Sequence, residues 1–327
     1  MNTTVITTER PIIQPYSHPI ETGEYVICTH SIHNMSQAVS EWIDMRRPGG
    51  MIYGPPRFGK SSAIKYVSQE LRNKFNGTLP IVIFKCKKHA KPNESTFFGE
   101  LLLCLNHAYP KGNAFDRSGR LIDHLFSLSI KNDHKRLVLI FDEAQNLEKA
   151  HYGWLVDIYN DLYDRRIKPT FVMVGQNELS HRRNSFINGK LFQIVGRFMV
   201  NTHRFEGIRN AQQLKVCLHA YDENSEYPIG SKCSYTRYFF PVAYSHGWRL
   251  ESQTSSLWTA FQEIKQKHKL AIKEISMLHL TSTIEYIMRR YQNLTEIEPH
   301  FSIALWKEAI EKSGFTESED FINIEED

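Results

Sequence analysis

Nine residues, GPPRFGKSS at 54–62, restrict this chain more than any other stretch. They match G-x-x-x-x-G-K-[ST], a loop that wraps phosphates and that works in one local setting, with a strand before it and a helix after it. The setting is present. MIY (51–53) reads as a short strand, and SSAIKYVSQELRNKF (61–75) as a helix with Ile64, Val67, Leu71 and Phe75 on one face. Gly54 and Gly59 allow a tight turn in which backbone N–H groups converge on an anion. The positive end of the helix beginning near Ser61 favours the same charge. Lys60 is expected at the β- and γ-phosphates of ATP, and Ser61 at a Mg²⁺ ion. The expected nucleotide-binding set is Gly54, Pro55, Pro56, Arg57, Phe58, Gly59, Lys60, Ser61 and Ser62. A decorative turn before a surface helix is the competing reading, and the strand–loop–helix context speaks against it.

A second stretch, LVLIFDEAQ (137–145), completes the chemistry. A continuous apolar strand ends abruptly in two carboxylates, which places Asp142 at the carboxyl edge of a sheet, where open α/β folds bind ligands. Asp142 suits the Mg²⁺ sphere, and Glu143 can orient and deprotonate an attacking water. An acid capping the next helix would explain one carboxylate but not the pair. A third strand, in FVMVGQNEL (171–179), ends in polar residues. If it lies beside the acidic strand, Gln176 stands near the γ-phosphate as a catalytic sensor; turn chemistry alone would also favour Gly-Gln-Asn here. In KLFQIVGRFMVNTHRF, Arg197 falls between a helix and the next strand and is a candidate finger reaching a neighbouring subunit's nucleotide, with Arg182, Arg183 and Arg204 as rivals. Arg249, in GWRLES, either folds back onto the phosphates or faces solvent.

Strands alternate with helices from about residue 36 to 204, which implies crossover connections and a mainly parallel sheet flanked by helices. After Arg204 the strand signal stops and the patterns are helical. The expected organisation is an extended N-terminal arm (1–24), which contains Pro11, Pro15 and Pro19 and is ordered against a partner. An α/β nucleotide-binding domain (25–205), a helical lid (206–290) and a C-terminal helix with an acidic tail (291–327) follow. DEA invites comparison with DEAD-box helicases, but those need two tandem sheet domains and the strand signal here supplies one.

Charge narrows the partners only slightly: 40 Lys and Arg against 36 Asp and Glu leave +4. The final ESEDFINIEED is acidic throughout, so the body is more basic than the total. Five scattered cysteines without a C-x-x-C pair fit a reducing cytoplasm and argue against a zinc site or a disulfide framework. The start lacks a signal-peptide core and no stretch suits a membrane span, so a soluble intracellular protein is expected.

GPPRFGKSS, LVLIFDEAQN, FVMVGQNEL, GRF and GWRL, in this order and followed by helices, resemble an AAA+ P-loop NTPase. More narrowly they resemble the TnsC/TniB family of transposition regulators, in the branch associated with CRISPR-guided transposons. The resemblance spans about residues 25 to 290. The phosphate and acidic motifs are shared with helicase loaders and replication initiators; the spacing, GQNEL and the tail point to the narrower family. The chain departs from the family pattern at the second sensor, where Gly247 and Arg249 bracket Trp248. The resemblance implies an ATP- and Mg²⁺-dependent ATPase that forms hexameric or heptameric rings, or helical filaments, around double-stranded DNA. It also implies a link between a TniQ-type targeting protein and a DDE transposase with its endonuclease partner, in a bacterial cytoplasm at the nucleoid and without a membrane.

A DNA face is expected at KCKKHAK, with Lys85, Lys87, Lys88 and Lys91, and at FDRSGR, with Arg117 and Arg120 ahead of the helix at Leu121. Lysines supply phosphate contacts without base specificity, as an indiscriminate target handler needs. A solvated charged loop is the alternative.

Overall fold

The computed structural model describes residues 10–107, 111–131, 135–292 and 294–317. It divides into two units: Ile32–Pro56 with Lys60–Phe205, and the N-terminal residues to Ser31 with Arg57–Gly59 and the chain from Glu206 onward. Two helices open the chain, the single-turn α1 (Pro19–Thr22) and α2 (His30–Asp44).

The α/β unit continues with β1 (Gly49–Tyr53), α3 (Lys60–Lys74), β2 (Ile81–Lys85), α4 (Glu94–Cys104), α5 (Ala114–Ile130) and β3 (Arg136–Asp142). It ends with α6 (Lys149–Asp164), β4 (Lys168–Gly175), α7 (Glu178–Asn188), the short α8 (Phe192–Ile194) and β5 (Asn201–Arg204). The five strands form one parallel sheet in the order β2-β3-β4-β1-β5. In β3, Leu137, Leu139 and Phe141 pack into a core shared with α4, α5 and α6, and the intervening Val138 and Ile140 are equally buried on the other face. Burial on both faces is why this strand reads as an unbroken apolar run. Phe141 lies between Phe84 and Phe171, ring centroids 5.1 and 5.9 Å apart, so the aromatic core ties three adjacent strands together. β4 lies beside β3, as the sensor reading required.

Helix starts depart from the sequence pattern. α4 is capped by Asn93, whose side-chain oxygen accepts the Thr96 N–H at 2.8 Å. α5 starts at Ala114 because Asn113 and Asp116 form a reciprocal capping box. Arg117 and Arg120 therefore lie on its first turns rather than in a loop before it. α2 begins at His30, six residues before the periodic apolar pattern becomes visible at Ser36.

The helical unit contains α9 (Ala211–Glu223), α10 (Tyr235–Phe239), α11 (Pro241–Ser245), α12 (Thr254–His268), α13 (Met277–Tyr291) and α14 (Ile303–Lys312). The expected extended arm is instead held by this unit from Arg10 onward. His18 is 0% exposed, and the rings of Tyr227, Tyr235, Tyr238 and Phe239 surround it at 4.5–5.2 Å. Its Nδ1 accepts the Ile20 N–H at 3.1 Å, and burial depresses its pKa to about 4. Tyr25 donates to Glu285 at 2.9 Å, and Arg10 lies over the Tyr238 ring. Apolar and aromatic burial holds these residues against the helical unit. The acidic tail from residue 318 lies outside the described residues. Among the described residues no helix is long and apolar enough to cross a membrane.

Candidate functional site

β1 lies between β4 and β5, so the loop leaving it opens where the strand order reverses, the usual ligand crevice of a parallel sheet. Gly54 is needed there for space: a Cβ on it would stand 2.3 Å from the Phe205 carbonyl oxygen. Gly59 is needed for conformation, with φ at +93°, and Arg57 also sits at positive φ, +64°. Lys60 opens α3 and is 8% exposed; its ammonium donates to the carbonyls of Gly54 and Pro55 at 2.8 and 2.6 Å. A buried cation is thus held against the loop. Ser61 follows on the same helix and donates to Asp142 Oδ2 at 2.8 Å.

Asp142 ends β3, 8% exposed, and its Oδ1 accepts the Glu143 N–H at 3.0 Å. Burial raises its pKa, helped by the neighbouring Glu143 charge and opposed by the Ser61 hydrogen bond. A serine hydroxyl and a buried carboxylate meeting at one point form an oxygen donor pair of the kind Mg²⁺ takes beside nucleotide phosphates, so the residues present fit that ion. Glu143 has φ at +57°, a left-handed turn that directs the chain out of the sheet into the short 3₁₀ turn Ala144–Asn146. Gln176 follows the end of β4, and its backbone N–H donates to Gln145 Oε1 at 3.1 Å. Gln145 in turn donates to Glu143 Oε2 at 2.6 Å. The sequence reading assigned no role to Gln145, although a polar residue two positions after Glu143 was its only available signal.

Arg57–Gly59, the tip of the loop, group with the helical unit, where the Arg57 carbonyl accepts the Leu278 N–H at 3.3 Å. Met277 lies 3.6 Å from where a Cβ on Gly59 would be, and it also lines a small cavity with Thr29, His30, Ser31, Gly207 and Ile208. These residues too were missed, because they come from three distant segments.

The arginines differ in their commitments. Arg182 donates to the carbonyls of Leu147 and Gln145, and Arg183 to that of Met199 at 2.8 Å. Arg197 sits in a π-helical turn, Val195–Met199, with its guanidinium 5.3 Å over the Tyr159 ring and 2.9 Å from Asn160 Oδ1. Arg249 is engaged inside the helical unit, 3.6 Å over Tyr244, 2.8 Å from Glu223, and donating to the carbonyls of Tyr244 and Trp248. A sensing role for Arg249 requires it to leave these partners.

The basic loop divides as well. Lys85 ends β2 in register with Asp142, and Lys85, Lys88 and Lys91 are exposed. Lys87 pairs with Glu100 at 3.1 Å, and His89 with the other oxygen of the same carboxylate at 3.1 Å. Arg117 donates to the Ser95 carbonyl at 2.7 Å, and Arg120 to the carbonyls of Asp116 and Lys111, so both guanidiniums hold backbone around α5.

Residues 43–182 match the family model of an AAA domain. No curated protein sequence matches the chain. Among solved structures it is similar to the Aeropyrum pernix ORC2 protein in ADPNP–ADP complexes, with a TM-score of 0.58, 13% identity, and coverage of 90% of this chain and 71% of that one. The ADP form of the same protein gives 0.48, 13%, 96% and 73%. The Aeropyrum pernix ORC1 protein in complex with DNA gives 0.44, 11%, 89% and 84%. The sheet order and the phosphate loop agree with the AAA-domain match and with the ORC2 likeness: the chain has the fold of AAA+ P-loop NTPases.

Proposed function

We propose that this chain is a Mg²⁺-dependent ATPase that assembles with copies of itself on duplex DNA and regulates transposition, linking a TniQ-type targeting protein to a transposase. The observation that carries the ATPase is the Ser61–Asp142 contact beside Lys60, with Glu143 next in sequence. ATP and water give ADP and phosphate; Glu143 takes the water proton as the oxygen attacks the γ-phosphorus, and Lys60 offsets charge on the β- and γ-phosphates. Ser61 and Asp142 would hold Mg²⁺, which would offset negative charge on the nucleotide. Lys85, Lys88 and Lys91 supply sequence-independent contacts to the duplex. The transposition role rests on the order and spacing of the sequence motifs. The likeness to ORC2 favours a second reading, a helicase loader or replication initiator.

Duplex and single-strand binding, with a non-hydrolysable ATP analogue and electron microscopy of the products, tests the reading. The wild type should form rings or filaments on duplex DNA only with nucleotide, and Lys60→Ala should neither bind ATP nor assemble. Unchanged ATP affinity in Lys60→Ala removes the site. Preference for single strands, with capture of a replicative helicase and not a transposase, transfers the protein to the second reading.

A further inference from the structure

Gln145 is fixed at three points. Its Nε2 donates to Glu143 Oε2 at 2.6 Å, its Oε1 accepts the Gln176 N–H at 3.1 Å, and its backbone carbonyl accepts Arg182 Nη2 at 2.9 Å. The amide orientation is not interchangeable: an ionised carboxylate only accepts and a backbone N–H only donates, so nitrogen must face Glu143 and oxygen must face Gln176. The surroundings are shaped to this placement. A Cβ on Gly175 would fall 2.6 Å from Gln145 Oε1 and 3.1 Å from its backbone nitrogen, so a side chain at 175 displaces the amide. Glu143 itself sits at φ +57°, a conformation that costs a non-glycine residue energy and that its neighbours must therefore enforce.

We propose that Gln145 is a positioning residue for ATP hydrolysis: it holds the Glu143 carboxylate by one oxygen, leaves the other for the attacking water, and ties both to the end of β4. The base is then in place only while the chain at Gln176 keeps its position, which couples the sensor strand to the reacting water through a single amide. The inference rests on Glu143 as the base.

Three variants test it by steady-state ATPase kinetics with ATP affinity measured separately. Gln145→Met keeps length and bulk but lacks the amide donor and acceptor, and Gly175→Ala displaces the amide while leaving Gln145 and Glu143 chemically unchanged. Each should lower kcat about ten- to a hundredfold, the cost of misplacing a reacting group by a fraction of an ångström to an ångström, with KM and ATP affinity held within about twofold. In the Glu143→Gln background, which removes the base, Gln145→Met should cost nothing further, because the two residues act as one unit. A purely structural Gln145 would impose its loss with or without the base.

If Gln145→Met does not fold, Gln145→Asn, polar but too short to span both partners, carries the same expectation. A kcat within about twofold of wild type in both the Gln145 and Gly175 variants, beside an inactive Glu143→Gln, overturns the positioning role and leaves the base assignment standing. An equal Gln145→Met loss with and without Glu143 overturns it too. Normal turnover in Glu143→Gln overturns the base assignment and this inference with it.

Discussion

Arg182 and Arg183 are adjacent on α7, yet their guanidiniums serve different parts of the unit, one the carbonyls of Gln145 and Leu147, the other that of Met199. Charge-assisted bonds to part-buried carbonyls contribute about 1.5–3 kcal/mol. Arg182→Ala should therefore lower stability by that amount in urea unfolding. Arg197→Ala, whose bonds to Asn160 and the Gln193 carbonyl lie at the exposed surface beside the Tyr159 ring, should stay within about 1 kcal/mol of wild type. Equal losses in the two variants would mean that these contacts do not separate a structural arginine from an available one. From sequence alone all were rivals, since proximity to a strand end says nothing about what a long side chain finds. Lys60 and Ser61 were legible as part of a fixed loop pattern and Asp142 as the end of an apolar strand, and the structure brings Ser61 and Asp142 together. Gln145 was not, because glutamine suits any exposed turn and its meaning comes from the neighbouring β4.

At the scale of elements, the sheet was readable strand by strand, while the ends of helices were not. A cap is one side chain reaching three residues ahead, as Asn93 and Asn113 do, and the apolar periodicity of a helix does not mark it. The KCKKHAK segment shows the same limit. Its sequence presents a uniform basic loop, but Glu100, contributed by α4, holds Lys87 and His89 and leaves Lys85, Lys88 and Lys91 facing solvent. If those three meet duplex phosphates, changing them together to Gln should weaken binding about equally on any sequence. It should also flatten the salt dependence by up to about 2.7 in log affinity against log salt, since each contact contributes about 0.9. Lys87→Gln should change the slope less, because part of its charge is already met by Glu100. ATP affinity should survive in both. An unchanged slope in the triple variant, measured by duplex titration across a salt series with an ATP analogue, would make the segment a solvated loop.

For the whole molecule, the strand signal stops where the parallel sheet ends, near Arg204, while residues 10–24 pack among rings between Tyr227 and Phe239 that no local pattern connects to His18. Assembly is the remaining question at this scale. A head-to-tail contact is heterologous, so each ATP site in a ring would combine the phosphate loop of one copy with the finger of the next. Arg197 is the candidate finger because its bonds, to Asn160 and the Gln193 carbonyl, lie at the exposed surface, whereas those of Arg182 and Arg183 are part-buried. A Lys60→Ala copy then keeps a usable finger but has no site, and an Arg197→Ala copy keeps a site but presents no finger. Each alone should be nearly inactive, the finger variant by about 10³–10⁵ in rate. A Lys60→Ala copy cannot assemble through its own empty site, but it can dock its arginine on the nucleotide-loaded site of an Arg197→Ala copy, so the mixture should regain hydrolysis at those hybrid interfaces. Recovery should peak near the equal mixture and fall toward zero at either end. Cross-linking must show that the two variants co-assemble. If they do, and the mixture hydrolyses no more ATP than its separate parts, Arg197 does not act across the interface.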